Sequence, residues 1–224
     1  MRGVFVTGTG TEVGKTVVAA AIARTAAAAG ERVAVFKPAV SGLADAGEPD
    51  HALLRRAAGS NQSDDQVAPY RYDPPVSPHL AAELAGEEID PARLLAAARA
   101  AADGVDLLVC EGVGGFLVPL TREYLVRDFA RELGLPVVVA SSPGLGTINH
   151  TLLTAEAVRA AGLETAAIVL TPWPEDPSSM EQSNRSTIGA LTGTEVLTLP
   201  EIDLARPRHW PALEIPVPPL LRAA

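Results

Sequence analysis

Val4-Phe5-Val6-Thr7-Gly8-Thr9-Gly10-Thr11-Glu12-Val13-Gly14-Lys15-Thr16 is the stretch on which the reading of this chain turns. Its first residues are β-branched or aromatic and read as a strand, Val4–Thr7. A glycine-rich turn follows, and then an alanine-rich run, Lys15–Ala29, that reads as a helix. A strand that turns through glycines into a helix is the context of a phosphate loop: backbone amides curl around an anion at the positive end of a helix. Lys15 then reaches the terminal phosphates and the Thr16 hydroxyl ligates Mg²⁺. Gly8 and Gly14 enclose five residues, where the usual loop has four between its first glycine and Gly-Lys. The bland alternative is a glycine-rich turn with a solvated lysine; the coincidence of strand, turn, Gly-Lys-Thr and helix favours the loop.

Outward from this loop, short β-branched runs alternate with longer helix-forming stretches, the pattern of βα units feeding a mostly parallel sheet. Strands are predicted at Arg32–Lys37, Val105–Cys110, Pro136–Ala140 and Ala166–Thr171, and helices at Asp50–Ala58, Pro91–Ala102, Leu125–Leu133, Thr147–Ala161 and Ser179–Leu191. The fold class is α/β, with helices on both faces of the sheet, of the P-loop NTPase kind, and residues 1–224 are expected to form a single domain. Gly30 and Gly162 are placed to end helices, and Asp90-Pro91 reads as an N-cap with proline at N1. Proline clusters at 69–78, 172–177 and 200–219 are expected to be loops or an extended surface tail.

Composition limits the partners. The net charge is −9, so the long-range field repels nucleic acid and anionic lipid, and an anionic nucleotide must be held by a local site. No apolar run approaches the length of a membrane span or a secretory signal. The single cysteine, Cys110, lies in the apolar run Leu107–Cys110 and reads as a core residue. A reducing cytoplasm is the expected location.

Other strands deliver chemistry to the same edge, the carboxyl edge where open parallel sheets bind ligands. Phe36-Lys37-Pro38-Ala39-Val40-Ser41-Gly42 brings a lysine and then a hydroxyl; taken alone, a lysine ending a strand is more often simply solvated. Glu111-Gly112-Val113-Gly114-Gly115 brings a carboxylate where nucleotide hydrolases carry a Mg²⁺ ligand, followed by glycines that let a ligand approach the backbone. Asp50 is equally an N-cap or a metal ligand. Gly144-Leu145-Gly146-Thr147-Ile148-Asn149-His150 opens a helix whose amides can hold a carboxylate, although Asn149 and His150 can equally be surface polar residues. Ser77-Pro78-His79 has no Ser-His-Asp logic, and His150 reads as structural.

Together, Thr7–Thr16, Lys37–Gly42, Ser77–His79, Glu111–Gly115 and Gly146–His150, in this order, resemble the dethiobiotin synthetases, in which the wider loop spacing is itself a trait. The resemblance implies an ATP- and Mg²⁺-dependent ligase that makes dethiobiotin from 7,8-diaminononanoate and CO₂ or bicarbonate, through a carbamate and a carbamic–phosphoric anhydride. It implies nucleotide binding by Glu12, Val13, Gly14, Lys15, Thr16, Val17, Asp50, Glu111, Gly112, Val113 and Gly114, with Mg²⁺ on Thr16, Asp50 and Glu111. Lys37, Lys15, Thr11 and Glu12 would carry catalysis. Substrate would meet Thr11, Lys37 and Ser41, together with Leu145, Gly146 and Asn149 from the other subunit of a homodimer. Two departures stand out: Leu170-Thr171-Pro172-Trp173 replaces a segment where an asparagine commonly reads adenine, and Gly144 stands where a basic residue is common. The competing class is a regulatory ATPase of the partitioning or septum-positioning kind; such proteins usually carry a second lysine early in the loop, and Gly8–Glu12 has none.

Overall fold

The computed structural model describes residues 2–44 and 47–216. Six parallel strands form one sheet: β1 (Gly3–Gly8), β2 (Val33–Phe36), β5 (Leu107–Glu111), β6 (Val137–Ser141), β7 (Thr165–Trp173) and β8 (Val196–Pro200), in the spatial order β2-β5-β1-β6-β7-β8. The fold class matches the alternation read in the sequence. β3 (Ala39–Val40) and β4 (Tyr70–Arg71) make a separate parallel pair.

The strands are buried on both faces, so side chains alternate between two cores. Val4 and Val6 point to one and Phe5 to the other; Val138 and Ala140 oppose Val137 and Val139 in the same way. One core is closed by α1 (Lys15–Ala28) and α2 (Asp50–Ala58), and α1 presents the fully buried Ala19, Ala20, Ala21 and Ala23, small enough for the helix to lie close on the sheet. The other is closed by α5 (Pro91–Ala101), α6 (Val126–Leu133), α7 (Thr147–Ala160) and α8 (Ser179–Thr192), through Leu94, Phe129, Val158 and Ile188. Asp90 caps α5 as predicted, its carboxylate accepting from the amides of Ala92 and Arg93.

Several expectations need correction. The segment 69–78 is not all loop: it contains β4 and the first residue of α4 (Pro78–Ala85), just after the one-turn α3 (Asp64–Val67). Two-residue strands and single turns carry no periodicity to read. β7 continues through Pro172 to Trp173, which pairs with Pro200 of β8, and β8 itself occupies the start of the 200–219 cluster. Beyond it the described tail has a turn at Leu204-Ala205, closed by Arg206 donating its amide to Asp203 O at 3.0 Å, and the short 3₁₀ turn Pro207–His209, and Leu213 tucks into the α1 side, its amide donating to Thr25 Oγ1 at 2.9 Å. Residues 217–219 of that expected tail lie outside the described residues. No described helix is long and apolar enough to cross a membrane.

Candidate active site

At the carboxyl edge, β1 runs out at Gly8 and the chain loops back into α1. Gly14, the residue before the helix, has φ of 86°, and a Cβ there would lie 2.6 Å from the Thr171 methyl, so both conformation and space require glycine. Glu12 is the one non-glycine residue with positive φ (59°) among the described residues, a strained crest of the kind functional loops hold. No acceptor among the described residues takes the backbone amides of Thr11 to Val17. Seven unpaired donors converging at a helix start form an anion-binding cradle.

Lys15 folds back over this loop, its Nζ donating to the Gly10 carbonyl at 2.7 Å, and is 7% exposed. Burial lowers its pKa, and the nearby Lys37 pushes the same way against the attraction of Glu111 and Asp50. Lys37, ending β2, sends its ammonium to Glu111 Oε1 at 2.5 Å and to Asp50 Oδ2 at 2.7 Å. Thr16 Oγ1 donates to the same Glu111 oxygen at 2.9 Å. Burial works against the Lys37 charge, yet the two carboxylates hold its pKa above the ordinary lysine value. Glu111 is fully buried and burial pushes its pKa up, opposed chiefly by Lys37. Asp50 is more exposed; burial acts upward on it, but Lys37, Thr16 and Lys15 together bring it below the ordinary value.

These groups line a cleft of about 360 Å³ whose walls include Thr11, Glu12, Lys15, Lys37, Ser41 and Asp50. Gly14, Thr16, Val17, Glu111, Val113 and Gly114 also face it. Asp50 therefore resolves toward the site: the N-cap of α2 is Pro49, and the Asp50 carboxylate meets Lys37 instead. Gly112 does not line the cleft; its amide donates to Val6 O at 2.9 Å, and it packs between Phe5 and Val126, where a Cβ would be crowded at 3.0–3.2 Å. The Val13 side chain turns inward to the α1 core, which leaves its amide as its contribution. The apolar wall of Ala39 and Val40 was not singled out from sequence. It is fixed by pairing with β4 and by Tyr72 donating its amide to Val40 O, contacts between residues some thirty positions apart.

Glu111 Oε2 is buried with no hydrogen-bond partner among the described residues. An orphaned carboxylate oxygen beside Thr16 Oγ1 and Asp50 suits a hard divalent cation, and the described residues contain no cluster of three His, Cys, Asp or Glu that would cage one alone. Mg²⁺ bound through two carboxylates and substrate phosphates needs no such cage.

A family model described as an AAA domain matches residues 2–207. The ATP-dependent dethiobiotin synthetase BioD of Anaeromyxobacter dehalogenans is 48% identical, over 92% of this chain and 93% of its own length. The corresponding proteins of Rhodococcus jostii and Bacillus cereus are 44% and 40% identical, covering 86% and 89% of this chain and 83% of their own lengths. The chain belongs to the dethiobiotin synthetase family. More distantly, a nucleotide-binding protein of Archaeoglobus fulgidus in complex with ADP shares the fold at a TM-score of 0.53 and 15% identity, over 92% of this chain and 84% of that one. The cell division protein FtsY of Thermotoga maritima does so at 0.51 and 13%, over 91% and 63%.

Not every residue drawn from the dethiobiotin synthetase resemblance reaches this cleft. Leu145, Gly146 and Asn149 do not line it. Leu145 is 93% exposed at the crest of the turn before α7, and Gly146 and Asn149 are also exposed. Thr171 is 2% exposed and presses its methyl on Gly14, so it backs the phosphate loop instead of facing a base. Ser77 Oγ and His79 Nδ1 meet at 3.0 Å, apart from the cleft. Cys110 is buried, which raises its thiol pKa well above normal and leaves it inert.

Proposed function

We propose that this chain uses ATP and Mg²⁺ to convert 7,8-diaminononanoate and CO₂ or bicarbonate to dethiobiotin. The observation that carries this reading is the convergence of Lys37, Asp50, Glu111 and Thr16 beside a cradle of unpaired amides, on a chain with close relatives named for that synthesis. In the reaction, one substrate amine captures CO₂ as a carbamate. A carbamate oxygen attacks the γ-phosphorus, and the bond to the β–γ bridging oxygen breaks to release ADP. The second amine then attacks the carbonyl carbon of the mixed anhydride, and phosphate leaves as the ureido ring closes.

Each step develops negative charge on oxygen or moves it from one oxygen to another, so the protein's task is alignment and neutralisation. The Thr11–Val17 amides and Lys15 grip the phosphates. Lys37 neutralises the carbamate and the transferring phosphoryl, while Thr11 and Ser41 orient the substrate and Glu12 lies beside its amine. Thr16, Asp50 and Glu111 Oε2 would hold Mg²⁺, which would supply positive charge against the phosphates. The exposed Leu145–Asn149 turn completes the diamine site of a neighbouring subunit in a homodimer, presenting amides at the start of α7 to the substrate carboxylate. Incubating the protein with diaminononanoate, bicarbonate and ATP·Mg²⁺ tests the reading by mass detection of dethiobiotin. ATP hydrolysis without dethiobiotin would instead favour a regulatory ATPase.

A further inference from the structure

A cluster of buried hydroxyls lies outside the cleft and has no part in the chemistry above. Ser141, the last residue of β6, is 1% exposed. Its Oγ lies 3.1 Å from Thr9 Oγ1 and 2.9 Å from Thr147 Oγ1, and accepts from Thr151 Oγ1 at 3.1 Å. Three partners saturate the one donor and two acceptor positions of a serine hydroxyl. Thr147 and Thr151 are themselves 2% and 0% exposed. Hydroxyls in an interior of valine and alanine cost more to bury than methyl groups unless they are paired, and what pairing adds is direction: apolar contacts tolerate sliding, hydrogen bonds do not.

The two sides of this cluster differ in role. Thr9 opens the phosphate loop, and its amide is also tied to Ala140 O at 3.0 Å. Thr147 opens α7, Thr151 follows one turn on along the same face, and the exposed Leu145 lies in the turn just before them. From the opposite flank, Asn184 of α8 donates to Pro143 O at 2.9 Å and Gly144 O at 3.3 Å. The turn before α7 is therefore held on both sides, and Ser141 is the group that joins it to the nucleotide loop.

We propose that Ser141 is a positioning residue that locks the phosphate loop of one subunit to the turn the same subunit lends to its neighbour's diamine site. The two grips then shift as one body. This rests on the shared-site reading above. The hybrid dimer that tests it pairs a Lys37→Ala chain with a Lys37-intact chain under two affinity tags, leaving one active site built from the intact chain's loop and the other chain's turn.

Ser141→Ala on the Lys37→Ala chain should raise KM for the diamine by about fivefold to tenfold, the loss of one or two neutral hydrogen bonds, with KM for ATP unchanged. On the intact chain the same substitution should raise KM for ATP. Thr151→Val keeps volume and removes one link, and on the Lys37→Ala chain should give a diamine shift of about twofold or more; it carries the test if Ser141→Ala does not fold. Both KM values staying within twofold on either chain, or a loss of kcat and Tm alone, would overturn the inference and leave Ser141 a packing residue. Asn149→Ala in the same hybrids separates the premise: if it acts only from the intact chain, the shared site is wrong. The Ser141 link then stands only if both KM shifts also arise from that chain.

Discussion

At the carboxyl ends of β1, β2 and β5, charged groups are buried against one another, whereas at the end of β6 the residues assigned to substrate stand in the open. Lys37 is 4% and Glu111 0% exposed in their side chains, and every neighbour they need comes from the same chain. Leu145 is 93% exposed, and the carbonyls before it, Pro143 and Gly144, accept from Asn184 of the same chain. The first region is preorganised: its charges are paired before any ligand arrives, which lets them act on a transition state without rearrangement. On the proposed reading the second region is half a site, and its completion depends on a second body.

Removing Lys37 strikes the preorganised region hardest. Lys37→Ala should lower kcat/KM by about two to three orders of magnitude, the usual loss of a preorganised electrostatic donor, with Lys37→Gln somewhat milder. Activity within tenfold of the parent would take Lys37 out of the mechanism and erase the contrast.

The same lysine should carry stability in the nucleotide-free protein. Lys37→Met removes the ammonium in contact with Glu111 and Asp50, a loss of about 3–5 kcal/mol for a broken buried pair. The deficit should depend on pH. Burial already raises the Glu111 pKa, and without Lys37 it rises further. A carboxyl with a raised folded pKa keeps its contribution below its unfolded value and loses it as pH rises through the folded one. The Tm difference between parent and variant, measured in EDTA, should therefore widen from about pH 5 to pH 8. A deficit independent of pH would mean that packing of the lysine stem, not charge, is what the variant loses.

The open region is tested by mixing subunits. Lys37→Ala and Asn149→Ala homodimers should each be nearly inactive, and their hybrid should regain one intact site, about a quarter of parental sites after equal, complete exchange. If exchange is demonstrated by tag pull-down and no activity returns, the turn does not serve a neighbour, and the two regions belong to one subunit's site.

Legibility in the sequence follows the same division. The strand, glycine turn and Gly-Lys-Thr of residues 4–16 are contiguous, so their geometry is written locally, and the ends of β2 and β5 were found because short apolar runs precede Lys37 and Glu111. That Asp50 turns from capping its helix to meet Lys37 is a tertiary event, and no spacing encodes it. The pairing of Ala39–Val40 with Tyr70–Arg71 was hidden for the same reason, beneath prolines that signal loops. Gly112 packs between Phe5 and Val126, a contact that a glycine after a site carboxylate does not announce in sequence. The Ser141 cluster draws on residues 9, 141, 147 and 151, each unremarkable where it stands.

The smallest expected effect concerns the nucleobase. The phosphate contacts of Thr11–Val17 are the same for every nucleoside triphosphate, so base discrimination must come from beyond the loop. Thr171 cannot supply it: it is 2% exposed, with its methyl against Gly14. Pro172, which follows, has no amide hydrogen to donate. What remains nearby is the chain after Pro200, brought beside the end of β7 by the pairing of Trp173 with Pro200. An asparagine side chain offers a donor and an acceptor together, matching the adenine edge, and a site without such a pair loses the contact that rejects other bases. ATP, CTP and GTP should therefore give kcat/KM values within about tenfold of one another, since only interactions worth more than about 1.4 kcal/mol separate them further. Steady-state kinetics with each nucleotide checks this. A preference of a hundredfold or more for ATP would show that backbone groups after Pro200 read the base, and that this half of the edge is as preorganised as the other.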